Sequence, residues 1–136
     1  MKSKSLLTLT AACLFFATQS FAASADECAI WSCLPDGFGA ECGNAYAAFK
    51  DRLRSGQAPL PPKNQCIGYK NTTKDFDFRV VPAAFLPATD TKEARWVEGA
   101  LCQPKFGKGP KGCIKQGKAI SVTNNKQTIG DVFYTK

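Results

Sequence analysis

At 136 residues, with a formal net charge of +7, seven cysteines and no histidine, the chain has the length of one small domain. The missing histidine removes the commonest general base and the usual partner of a serine or cysteine nucleophile. The positive balance is compatible with an acidic partner, peptidoglycan, an anionic membrane or DNA, and it is equally ordinary for a soluble exported protein.

The chain opens with Lys2 and Lys4, an apolar run from Leu6 to Thr18, and small residues at Ser20-Phe21-Ala22 or Ala23-Ser24-Ala25. That is the layout of a secretory signal peptide, with cleavage expected near Ala25 and a single domain over 26–136. The apolar run is well short of the roughly 20 residues that cross a bilayer. A lipoprotein leader modified at Cys13 is the alternative, although Thr10 stands three residues before it and Leu14-Phe15-Phe16 continue the apolar segment. Cleavage lowers the formal charge from +7 to +5 by removing Lys2 and Lys4. Export to the periplasm follows from the leader.

Six cysteines then remain: Cys28, Cys33, Cys42, Cys66, Cys102 and Cys113. An even number in a small exported chain reads as a disulfide framework. Zinc is disfavoured by the absence of histidine and of any Cys-x-x-Cys pair, so no metal or cofactor is expected. Cys102 and Cys113 are the favoured pair, because the segment between them is short and rich in turn residues. Cys28 and Cys33 are each expected to reach Cys42 or Cys66 rather than one another.

Asp26 is placed to cap a short helix carrying Ala29, Ile30 and Cys33, ended by Leu34-Pro35-Asp36-Gly37-Phe38-Gly39. A second helix is predicted over Ala45–Arg54, with Asn44 as its N-cap and Gly56 past its end. Phe49 and Leu53 lie one turn apart on it, with Ala45 and Tyr46 above them. Farther on, Asp77–Val81 has strand composition, and Pro82 and Pro87 bound a segment expected to be irregular. The Asn71-Thr72-Thr73 sequon is read as a chance match. Arg95–Cys102 resembles a strand more than a helix, despite the spacing of Asp90 and Glu93. Ala119–Thr123, a turn at Asn124-Asn125 and Thr128–Thr135 predict a hairpin with a bulge or bend at Gly130. The fold class is therefore α+β: a small disulfide-stabilised domain with two or three short N-terminal helices followed by a small antiparallel sheet or hairpin.

No enzyme is expected, and no catalytic residue is assigned. Glu41, Glu93 and Glu98 are the carboxylates a glycosidase-like pair would use, and none lies in a motif that sets it opposite another. Two features are candidates for binding. Phe38, between two glycines, is a candidate exposed anchor and equally a turn residue with its ring tucked inward. Lys105, Phe106, Lys108 and Lys111, followed by Lys115 and Lys118, place a cationic surface on the stretch that Cys102 and Cys113 would close.

The stretch Cys28-Ala29-Ile30-Trp31-Ser32-Cys33-Leu34-Pro35, the Gly37-Phe38 turn, Cys42-Gly43, the helix with Phe49-Lys50-Asp51-Arg52, and Pro59-Leu60-Pro61 with Cys66 resemble the TrbM/KikA/MpfK family of conjugal-transfer proteins. Trp96-Val97-Glu98-Gly99, Cys102 and Cys113 are similar to its C-terminal half, and Tyr69 to Asp90 offers no match. The resemblance implies an exported accessory protein of a plasmid's type IV secretion system. The partners it implies are other components of that machinery, with nucleic acid not expected and homo-oligomerisation open. Two other readings compete: a secreted cationic inhibitor or toxin-like binder, and a peptidoglycan hydrolase.

Overall fold

The computed structural model describes residues 22–66 and 75–135. Residues 1–21 of the expected leader, Cys13 among them, and the Asn71-Thr72-Thr73 sequon lie outside those residues. Two helices, α1 (Ala25–Cys33) and α2 (Gly43–Arg54), precede four strands: β1 (Phe76–Leu86), β2 (Arg95–Glu98), β3 (Lys115–Asn124) and β4 (Gln127–Tyr134). The strands form one antiparallel sheet in the order β2-β1-β3-β4. Three disulfides staple it, so the protein is a small disulfide-stabilised α+β domain.

Helix α1 is capped by Ser24 and not by Asp26. The Ser24 hydroxyl accepts the Glu27 N–H at 3.2 Å, and the Glu27 carboxylate accepts the Ser24 N–H at 3.0 Å. This reciprocal pair satisfies two helix-end donors, and Asp26 sits instead in the first turn, where negative charge suits the helix dipole. Ala23 packs on the core as well. The fold thus begins ahead of residue 26, and cleavage after Ala25 would remove a cap worth about 1 kcal/mol. If residues 1–22 are removed as a leader, the mature chain is expected to begin at Ala23, and an intact mass matching a start at Asp26 would overturn this.

Glu27 is tied a second time, to Arg52 on α2 at 2.8 Å, while Arg52 also donates to the Ala58 carbonyl at 2.8 Å. The Ser24 amide, and then Arg52, hold the Glu27 carboxyl below the usual glutamate range, with burial opposing them. The folded pKa is the lower one. This stabilisation is therefore fully present above the unfolded value of about 4.3 and is lost as pH falls through the folded value. Glu27→Gln keeps a capping-box side chain without the charge. Its urea midpoint is expected to fall less than the native protein's between neutral and strongly acid pH. Parallel losses would show that this pair does not set the acid limb.

Helix α2 starts at Gly43, one residue before the expected cap. Cys42 occupies the N-cap position without a side-chain hydrogen bond, and its disulfide to Cys33 anchors that end. At the other end Gln57 N–H reaches Arg52 O and Gly56 N–H reaches Leu53 O, the pattern that a C′ glycine permits. Trp31 on α1 is buried, and its indole N–H donates to Pro61 O at 3.1 Å. Together with Cys28–Cys66, that bond holds α1 against the proline-rich segment.

The segment expected to be irregular after Val81 is strand: β1 continues through Pro82 to Leu86. Pro82 is tolerated because it lies just beyond the β1–β2 pairing. Its carbonyl accepts Gly99 N–H at 2.7 Å, and its missing donor falls where β2 has ended. In the hairpin, Asn125 and Lys126 take φ values of 49° and 66°, the left-handed pair that a two-residue turn requires, so the turn sits one residue later than expected. Opposite Ser121, β4 carries the extra residues of a bulge beginning at Gly130 (φ 64°). The Pro35 carbonyl occupies the space a Cβ on Gly130 would need, and Asp131 N–H donates to it at 2.8 Å. The bulge thereby docks the sheet edge onto the turn after α1.

Ile120, Val122, Phe76, Phe78, Ile129 and Phe133 lie on one sheet face and pack beneath the helices. The same face continues through Ala84, Leu86 and Val97, where Cys102 and Cys113 cover it.

Candidate functional site

The lysine-rich stretch is a loop mounted on the end of the sheet. Cys102 and Cys113 close it, and Gln103 and Lys108 pair backbone to backbone across it at 2.8 and 3.2 Å. Pro104–Phe106 form one 3₁₀ turn within it. Gly109 (φ 112°) lies so close to the Leu101 carbonyl that no Cβ would fit there. Gln116 bolts the loop to the sheet, accepting Cys102 N–H at 2.5 Å and donating to Ala83 O at 2.9 Å. Lys105, Lys108, Lys111, Lys115 and Phe106 all point to solvent. A concavity of about 400 Å³ opens between Pro104 and Cys113, with Lys108 and Lys111 on its wall. Lys105, Lys108 and Lys111 thus lie on this loop, while Lys115 and Lys118 stand on β3.

Phe38 does not belong to that loop and is not an exposed anchor. Its ring packs 5.1 Å from Tyr46 and 5.1 Å from Phe49, and meets Phe133 edge-on at 6.3 Å. The flanking glycines turn it inward: the chain reverses through Gly37 (φ 71°) and Phe38 (φ 53°), with Phe38 N–H on Cys33 O.

A second surface lies between α2 and β4. Two adjoining concavities of about 600 and 700 Å³ share Tyr46, Phe133 and Tyr134. One end carries Leu53, Lys50, Arg54 and Lys118; the other carries Phe38, Gly37 and Asp131. Lys50 Nζ sits 4.5 Å above the Tyr46 ring, and Arg54 pairs with Asp51 at 3.0 Å. β4 is an edge strand. Because Thr135 N–H turns inward to Lys118 O at 2.9 Å, strand alternation directs the N–H and C=O of Tyr134 outward. The groove thus combines a main-chain edge, an apolar floor and a cationic rim. These are the elements that hold an extended peptide segment.

The three glutamates considered for catalysis stand on separate elements: Glu41 in the 3₁₀ turn Ala40–Cys42, Glu93 in the turn before β2, and Glu98 at the end of β2. Glu98 is committed to Arg79 at 2.9 Å and to the Tyr134 hydroxyl at 3.0 Å. Burial, followed by the Glu98 hydrogen bond and charge, pushes the Tyr134 hydroxyl above its ordinary range. Among the described residues no cluster of His, Cys, Asp and Glu could hold a metal ion. Nor is any helix among them long and apolar enough to cross a membrane.

The Tyr46, Lys50 and Arg54 row was available in the sequence as one side of a helix. Its β4 wall was not, because the pairing of that row with Phe133 and Tyr134 is made only by folding. No family model, curated protein or solved structure matches this chain.

Proposed function

We propose that this chain is an exported, periplasmic accessory protein of bacterial conjugation that acts by protein–protein contact on the mating-pair apparatus. The likeness of the Cys28–Cys66 module to the TrbM/KikA/MpfK family supports the process, and three disulfides suit an oxidising compartment. The observation that carries contact as the mode of action is the groove between α2 and β4, with its open strand edge and cationic rim. In this reading the side chains bind and position, and none of them performs chemistry. Deleting the gene is expected to lower plasmid transfer, and the native chain is expected to restore it. A Lys50→Glu/Lys118→Glu variant is expected to accumulate normally and to restore transfer poorly. Undiminished transfer in the deletion strain would sink the reading, and clearing of a peptidoglycan zymogram by the purified protein would replace it with a hydrolase.

A further inference from the structure

The exposed large apolar side chains concentrate, along the chain, around the disulfide loop. Among the described residues four remain exposed, and three of them belong to the disulfide loop: Phe106 at 75%, Ile114 at 62% and Leu101 at 55%. Leu101 and Ile114 flank the Cys102–Cys113 bridge, and Phe106 rides the 3₁₀ turn. The disulfide, the Gln103–Lys108 pairing and the Gln116 bonds tie the loop to the sheet, and Phe106 stands exposed on it. From Gly99 to Gly130 the sequence contains no Asp or Glu, and Lys105, Lys108, Lys111 and Lys115, all exposed, are interspersed with the apolar residues along it.

We infer that this loop docks the protein on an anionic membrane surface, with Phe106 entering the headgroup–acyl boundary and the lysines meeting lipid phosphates. Each part of the loop has a use in that environment. An exposed Phe ring can bury its apolar surface at the headgroup–acyl boundary, as apolar residues of interfacial segments do. Lysine stems run along apolar surface while their ammonium groups stay among the headgroups. The concavity beside Lys108 and Lys111 is open to a phosphate oxygen. A nucleic-acid backbone would engage the same lysines, but it would leave Leu101 and Ile114 in water and offer Phe106 only one base to stack on. The apolar residues therefore favour lipid. This attachment is peripheral and reversible, and it is independent of whatever occupies the α2–β4 groove.

The test is sedimentation of the oxidised protein with vesicles of phosphatidylcholine containing roughly a third phosphatidylglycerol, compared with pure phosphatidylcholine. Binding is expected to the mixed vesicles only and to weaken as salt rises. Phe106→Ser and Lys108→Ser/Lys111→Ser are each expected to weaken it by about tenfold or more, with unchanged thermal melting because these side chains are exposed. In Phe106→Trp, indole emission is expected to shift to the blue on the mixed vesicles. Absence of binding by folded protein would overturn the inference, as would Phe106→Ser binding as tightly as the native chain. Lysine-dependent binding of a single-stranded oligonucleotide, unaffected by Phe106→Ser and without vesicle binding, would assign the loop to nucleic acid.

Discussion

Replacing Cys28 and Cys66 together by serine is expected to destabilise the protein by about 4 kcal/mol. The two cysteines are 38 residues apart, and the closure entropy of a loop that size lies between the values of about 3 and 5 kcal/mol given by much shorter and longer loops. Both are buried in the main core, so the polar hydroxyls add to the loss. The bridge also fixes the segment whose Pro61 carbonyl receives the Trp31 indole. A domain of this size has a total stability of roughly 5–15 kcal/mol, and the double variant is expected to approach the folding threshold. Cys33–Cys42 spans only 9 residues, so its removal is expected to cost less, about 2–3 kcal/mol. Urea unfolding of the oxidised proteins orders the two. A larger loss from the shorter loop would show that local geometry at the α1–α2 turn, and not chain closure, dominates.

Phe49→Ala is expected to cost about 3–5 kcal/mol, as large-to-small changes of a buried aromatic do. Phe49 is completely buried, 5.1 Å from the Phe38 ring and 4.8 Å from Phe133 in an edge-on arrangement at 86°. With Tyr46 it is one of the α2 side chains that pack on Phe133 of the sheet. Phe49→Leu keeps most of the volume and is expected to cost clearly less. Chemical denaturation checks both, and a loss below about 1 kcal/mol for Phe49→Ala would mean that α2 is held mainly by its disulfide and its Glu27–Arg52 tie. Because Tyr46 and Phe133 share this cluster and also line the groove, the same variant is expected to disturb the groove.

Local signals were read well where a few neighbouring residues decide the outcome. The second helix was legible from an uninterrupted run with a stripe at Phe49 and Leu53. The hairpin was legible from β-branched and aromatic residues around an Asn-Asn turn, and Gly130 from its place inside a strand pattern. Errors of one or two residues arose where two groups compete for the same job. Asp26 and Ser24 can both cap a helix, and Ser24 wins because Glu27 stands three residues after it and can return the bond. Asn44 yields to Cys42 because a disulfide holds that end. Pro82 bounds an irregular segment only when a neighbouring strand requires its N–H, and β2 has ended there.

Phe38 shows the limit of local reading most clearly. Two flanking glycines are equally consistent with a projecting ring and an inward one, and the choice rests on Tyr46, Phe49 and Phe133 forming a slot for it. Cysteine count, charge and periodicity are properties of the chain, and a small, disulfide-stapled α+β domain with a cationic C-terminal half follows from them without any knowledge of contacts. Which surfaces are available is settled by packing between distant segments. That packing turned Phe38 against the core, left Phe106, Leu101 and Ile114 outside, and set α2 beside the open edge of β4. Exposure is a relation between segments distant in sequence, and only folding makes it.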